Sequence, residues 1–146
     1  MQIEQTQLEQ LMPLLKEALS DGRSVHLSPS GVSMLPMLRE GIDSVVLSPL
    51  TRALKKFDLP LYRRDNGQYV LHRITAVGHT YTCMGDNQFA KETGLRDDQF
   101  IGIVTSFYRN GRSIKVTNLT YRIYCFFWHY TRIFRRIWRK VTSYFT

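Results

Sequence analysis

Residues 119 to 146 contain no acidic residue, and the whole chain has only two cysteines, Cys83 and Cys125. Two isolated cysteines exclude a disulfide framework and a four-ligand zinc site, so both are read as small, buried apolar residues. Long apolar runs are missing as well. No stretch reaches the ~18 uncharged apolar residues of a membrane-spanning helix. Residues 1 to 20 are interrupted by Glu4, Glu9, Lys16 and Glu17, so they do not read as a secretory signal peptide. Internal repeats and low-complexity segments are absent. The histidines are isolated from one another, and the sequence predicts neither a metal nor a cofactor.

The missing acids divide the chain electrically. Residues 1 to 118 hold fourteen Lys+Arg and twelve Asp+Glu, so that body is nearly neutral. Arg122, Arg132, Arg135, Arg136, Arg139 and Lys140 make the remainder strongly cationic and account for most of the net charge of +8. This asymmetry assigns an anionic partner to the tail rather than to the whole protein. At 146 residues and 43% hydrophobic content the chain makes one domain in three segments: a helix over 1–22, a β core over 23–118 and a basic, aromatic helix over 119–146.

Ile3, Leu8, Leu11, Leu14, Leu15, Ala18 and Leu19 share one helical face, with Pro13 as a kink or a restart and Asp21-Gly22 as the stop. After Gly22 the pattern turns to strands over 24–30, 43–47, 59–64, 68–77, 81–84, 101–108 and 113–116. Asn66-Gly67 and Asn110-Gly111 predict hairpins with type I′ turns. Short strands and tight turns imply a mainly β, antiparallel, barrel-like or sandwich fold with a helix at each end. In 119–141, arginines interleave with Tyr121, Tyr124, Phe126, Phe127, Trp128, Tyr130, Phe134 and Trp138. Two readings stand: an interfacial helix on an anionic membrane surface, or a helix packed on the body with its arginines in water. Nucleic acid ranks third, because the tail has no base-reading signature.

The chemistry rests on Ser30-Gly31-Val32-Ser33-Met34-Leu35-Pro36 and Tyr69-Val70-Leu71-His72-Arg73-Ile74. Gly31 permits an unusual backbone angle, so the bend can present Ser33 and expose backbone N–H groups to an oxyanion. His72 supplies the base that a serine nucleophile needs. An unperturbed imidazole titrates near pH 6.5, so activity should rise with pH between about 5 and 8. His26, His79 and His129 are given surface or packing roles.

The ordered set Ser30-Gly31-Val32-Ser33-Met34-Leu35-Pro36, Leu38-Arg39-Glu40-Gly41 with Asp43, Val70-Leu71-His72-Arg73-Ile74, Gly85-Asp86-Asn87 and Ile101-Gly102-Ile103-Val104 resembles the superfamily of type I signal peptidases and LexA-like self-cleaving proteins. The resemblance spans about Val25 to Val116. It implies an antiparallel β-barrel-like catalytic core with Ser33 as nucleophile. Typical bacterial members and LexA-like proteins place a lysine where His72 stands. His-Arg followed by Gly-Asp-Asn is similar to the histidine-type, endoplasmic-reticulum-like branch, and no lysine lies between Asp65 and Cys83. The branch implies an acid supporting the histidine. Asp86 matches one such position and Glu92 stands near a second, with Asp86 slightly preferred and Asp43 given a structural role.

The resemblance therefore implies a serine endopeptidase with a Ser33–His72 dyad, acting on a peptide or preprotein leader. Two alternatives stand beside it: a LexA-like self-cleaving regulator and a catalytically inactive, membrane-associated binding module. The charged helix ahead of the serine, where signal peptidases carry a membrane anchor, implies a cytoplasmic site or one peripheral to the cytoplasmic membrane.

Overall fold

A computed structural model describes residues 5–146. Helix α1 (Gln5–Ser20) is followed by strands β1 (Val25–Leu27), β2 (Ser44–Ser48), β3 (Pro60–Arg63), β4 (Tyr69–Leu71), β5 (Arg73–Val77), β6 (Tyr81–Met84), β7 (Glu92–Leu95), β8 (Phe100–Arg109) and β9 (Arg112–Lys115). Helices α2 (Leu119–Tyr130) and α3 (Arg132–Ser143) complete the chain. The fold is mainly β with terminal helices. All strand pairs among the described residues are antiparallel. One sheet runs β1-β2-β8-β3-β4 with β9 also on β8, and a smaller sheet runs β5-β6-β7.

The segment 68–77, expected as one strand, is two. β4 belongs to the large sheet and β5 to the small one, and His72 is the residue between them. The small sheet is completed by β7, which the sequence pattern does not announce because Glu92-Thr93-Gly94-Leu95 has only one buried apolar position.

The two Asn-Gly turns also differ. At Asn110-Gly111 both residues have positive φ (53° and 74°), as a type I′ turn requires. At Asn66-Gly67 only Gly67 does (91°). The Gly67 amide bonds the Arg64 carbonyl, and the Asn66 side chain accepts from the Gln68 amide, which holds Asn66 at negative φ.

Helix α1 buries Leu8, Met12, Leu15 and Leu19, a stripe spaced four, three and four residues apart. Leu11 and Leu14, expected on that face, are exposed. The helix continues through Pro13, which stands on the exposed side. Ile3 lies outside the described residues. The stripe joins Met34, Met37 and Leu38, Val45 and Leu47 of β2, and Tyr121 and Cys125 of α2 in the main core. A second cluster, including Tyr62, Ile74, Cys83 and Phe100, fills the space beside the small sheet.

The expected single helix over 119–141 breaks at Thr131. The Thr131 hydroxyl donates to the Phe127 carbonyl four residues back, a bond that bends helices. No helix of the described residues is long and apolar enough to cross a membrane.

Candidate active site

Ser33 lies in the loop between β1 and β2, and four sets of contacts fix that loop. Gly31 takes φ +83°, a conformation that disfavours a side chain, and its amide donates to Glu40 Oε1 at 2.8 Å. Arg39 and Asp43 form a forked pair, with Nε–Oδ2 at 2.8 Å and Nη2–Oδ1 at 2.9 Å, and the Arg39 amide donates to the same carboxylate. The Arg39 hydrogen bonds hold the buried Asp43 carboxyl below the usual carboxylate range, against its desolvation. Arg109 reaches across from β8 to the carbonyls of Pro36 and Met37 at 2.5 and 2.7 Å.

The fourth set comes from the turn after β6. The Asn87 amide donates to the Ser33 carbonyl at 2.8 Å, and the Asn87 side chain donates to the Val32 carbonyl at 3.0 Å. Gly85 makes that approach feasible, since a Cβ there would stand 2.6 Å from the Ser33 carbonyl oxygen.

Ser33 and His72 line one cavity of about 260 Å³. Its walls are mixed, with Leu8, Leu27, Met34, Leu61 and Leu71 beside Gln5, Ser28, Arg64 and Gln88. The Ser33 hydroxyl forms no hydrogen bond among the described residues, to His72 or to any other group. The amides of Ser33 and Met34 are likewise without a partner among these residues.

His72 is almost fully buried at the joint between the sheets. Its Nδ1 stands 3.4 Å from the Tyr62 hydroxyl and 3.6 Å from Glu92 Oε1. Nε2 has no partner among the described residues and is the nitrogen left for other chemistry. Burial, reinforced by the nearby Arg64 cation, lowers the His72 pKa to about 4 against the opposing pull of Glu92. The imidazole is therefore neutral, and able to accept a proton, throughout the physiological range.

Glu92 is shared. Arg64 clamps it, with Nε at 3.0 Å from Oε1 and Nη2 also against Oε1. Desolvation pushes the Glu92 carboxyl up, but the Arg64 hydrogen bonds and charge outweigh it and keep the group ionised. The Cys83 thiol, pushed up to about 12 by burial and then by Glu92, stays protonated and is no rival nucleophile.

The two acids are placed differently around the histidine. Asp86 faces Arg73, with Oδ1–Nε at 2.8 Å and Oδ2–Nη2 at 2.9 Å. Tyr124 donates its hydroxyl to Oδ2 at 2.8 Å, and the Trp128 indole donates to the Asp86 carbonyl at 2.7 Å. Arg73 spends its remaining protons on the Phe57 carbonyl, Tyr121, Cys125 and Met37. Asp86 is thus committed to a buried clamp under α2, and Glu92 is the carboxylate beside the imidazole.

Tyr62 and Arg64 are absent from the sequence reading of the site. The β3–β4 register pairs Leu61 with Leu71 and Tyr62 with Val70, which puts Tyr62 diagonal to His72 on one face. Hairpin counting could have found it. No family model, curated protein or solved structure matches this chain.

Proposed function

We propose that the chain is a serine peptidase of the signal peptidase and LexA-like superfamily, in its histidine-type branch. The observation that carries the reading is the shared cavity. Ser33 and His72 border it together, and His72 is backed on Nδ1 by Tyr62 and Glu92.

Ser33 Oγ attacks the scissile carbonyl carbon as its proton passes to His72 Nε2. The resulting oxyanion is received by the free amides of Ser33 and Met34. His72 returns the proton to the leaving amine, the C–N bond breaks and an acyl-enzyme remains. Water then repeats the sequence, with His72 taking its proton and passing it to Ser33. Glu92 acts on Nδ1 by fixing the tautomer and stabilising the imidazolium. No hydrogen bond joins Ser33 and His72 in the unliganded site, and catalytic hydrogen bonds of this kind tighten on substrate.

Turnover of a fluorogenic peptide library by the full chain tests this. Ser33→Ala should abolish cleavage, and His72→Ala should reduce it by about 10²- to 10⁴-fold. Undiminished turnover in either variant overturns the assignment. The acid limb of the pH profile should lie near pH 4, where buried His72 titrates, and not between 5 and 8 as a free imidazole would have it. A fluorophosphonate label that disappears in Ser33→Ala separates the peptidase from an inactive binding module.

A further inference from the structure

Helix α2 has two faces of opposite character. Tyr121, Tyr124, Cys125 and Trp128 turn inward and engage the Arg73–Asp86 clamp or the main core. Leu119, Ile123, Phe126, Phe127 and Tyr130 are exposed. They recur every three or four residues, so they form one stripe along the outer side.

Beyond the break at Thr131 a second apolar stripe follows on α3. Ile133, Phe134, Ile137, Trp138 and Val141 are exposed at helical spacing, and no residue of α3 is buried. Phe134 and Trp138 are 72% and 70% exposed. An uncovered apolar band of this length on a chain of this size marks a binding surface.

Its charge selects the occupant. Residues 119–146 contain no acid; Arg132, Arg135 and Arg139 turn toward the body, Arg135 over the Trp128 ring and Arg139 bonded to Asn87, and Arg136 and Lys140 stand exposed beside the apolar residues of α3. Lys56 joins them beside the band, its Nζ 5.0 Å from the centre of the Tyr130 ring. A second copy seated on this band would bring two all-cationic flanks together with no acid to pair with them. Duplex nucleic acid would meet the cations but leave the aromatic band in water, its bases being stacked inside the helix. An anionic lipid surface satisfies both, because the apolar face enters the acyl boundary while cations on its flanks reach phosphate.

We infer that residues 119–146 form a docking surface for anionic membranes, with the apolar stripes of α2 and α3 inserted at the headgroup level. The inward face of α2 holds Asp86, and Asn87 next to it holds the Ser33 carbonyl. One helix, about 10 Å thick, therefore separates the lipid from the loop that anchors Ser33. The inference stands independently of the peptidase reading, because lipid binding needs neither Ser33 nor His72.

Flotation of the full chain with vesicles tests it, using pure phosphatidylcholine against equal parts phosphatidylcholine and phosphatidylglycerol. Binding to the anionic vesicles should be at least tenfold stronger and should weaken with added salt, and Trp138 emission should shift to shorter wavelength. Phe134→Ser with Trp138→Ser should abolish binding, and Arg136→Glu with Lys140→Glu should reduce it at least tenfold. Neither pair touches a buried residue, so unchanged circular dichroism should accompany both. No vesicle binding, equal binding to neutral vesicles, a duplex oligonucleotide bound in preference to vesicles, or a lipid-free dimer that buries Trp138 would each overturn the inference.

Discussion

Two arginine–carboxylate pairs act on the surroundings of His72, and they differ in nearly every physical respect. In Arg73–Asp86 the side chains are 4% and 2% exposed, and both carboxylate oxygens are occupied by fixed donors. In Arg64–Glu92 they are 33% and 27% exposed, and one oxygen also faces the imidazole at 3.6 Å. A fully buried, fully satisfied pair has no capacity left to follow a change of charge nearby. A half-exposed pair with a shared oxygen has that capacity. The contrast assigns the first pair to holding the fold and the second to tuning the histidine.

The sharpest way to break the comparison is to remove one partner of the buried pair. Asp86→Ala leaves the Arg73 guanidinium uncompensated in the core, and such losses cost about 3–5 kcal/mol. The melting temperature should fall by roughly 10 °C for a chain of this size. The double variant Arg73→Met/Asp86→Leu should recover most of that loss, since a well-packed apolar pair replaces a buried ion pair at little cost. If Asp86→Ala leaves denaturant unfolding unchanged, the clamp is not structural.

His72 gives the next largest effect. Its folded pKa of about 4 lies below the unfolded value near 6.5, so between these limits the unfolded chain binds the extra proton. Stability should therefore rise with pH across that window and fall by about 3 kcal/mol on going from pH 7 to pH 4. His129, also lowered to about 4 by burial and nearby cations, adds to the loss in this window, and Asp43 and Glu92 lose their stabilisation as pH falls from the usual carboxylate range through their lower folded values. Urea titrations of wild type and His72→Gln at both pH values isolate His72. Parallel losses in the two proteins would show that it carries none of the effect.

The sequence foreshadows the two pairs unequally, and the reason is physical. Alternation and turn residues expose the strands around His72 and the bend at Ser33, because periodicity is local. The sheet change at His72 is not local. It depends on β5 pairing with β6, and it buries an imidazole that the β4–β5 run alone presents as one side of a continuous strand. The local pattern at Gly85-Asp86-Asn87 by itself reads as a turn, and Asp86 is expected beside His72 only because the resemblance implies an acid there. Its actual partners, Arg73, Tyr124 and Trp128, come from β5 and a helix nearly forty residues further on. The amphipathic tail needs no tertiary information and is plain in the spacing, but its break at Thr131 depends on a single hydroxyl.

The smallest effects on stability, and the most informative about function, belong to the exposed pair. Its partial exposure screens the interaction, so Glu92→Gln or Arg64→Met should cost no more than about 1 kcal/mol. The pH profile should respond more clearly, and in opposite senses. Glu92 raises the His72 pKa and Arg64 lowers it. Glu92→Gln should move the acid limb further below pH 4 and slow turnover about tenfold, because the imidazolium formed during attack loses its nearest anion. Arg64→Met should move the limb up, since the repelling cation is gone and Glu92 is released toward Nδ1. Proton chemical shifts of the His72 ring across pH 3 to 7 would follow both changes without requiring activity. Shifts of the same sign in the two variants would mean that Arg64 and Glu92 act on His72 only as a unit, and the division of labour between the two pairs would fail at that point.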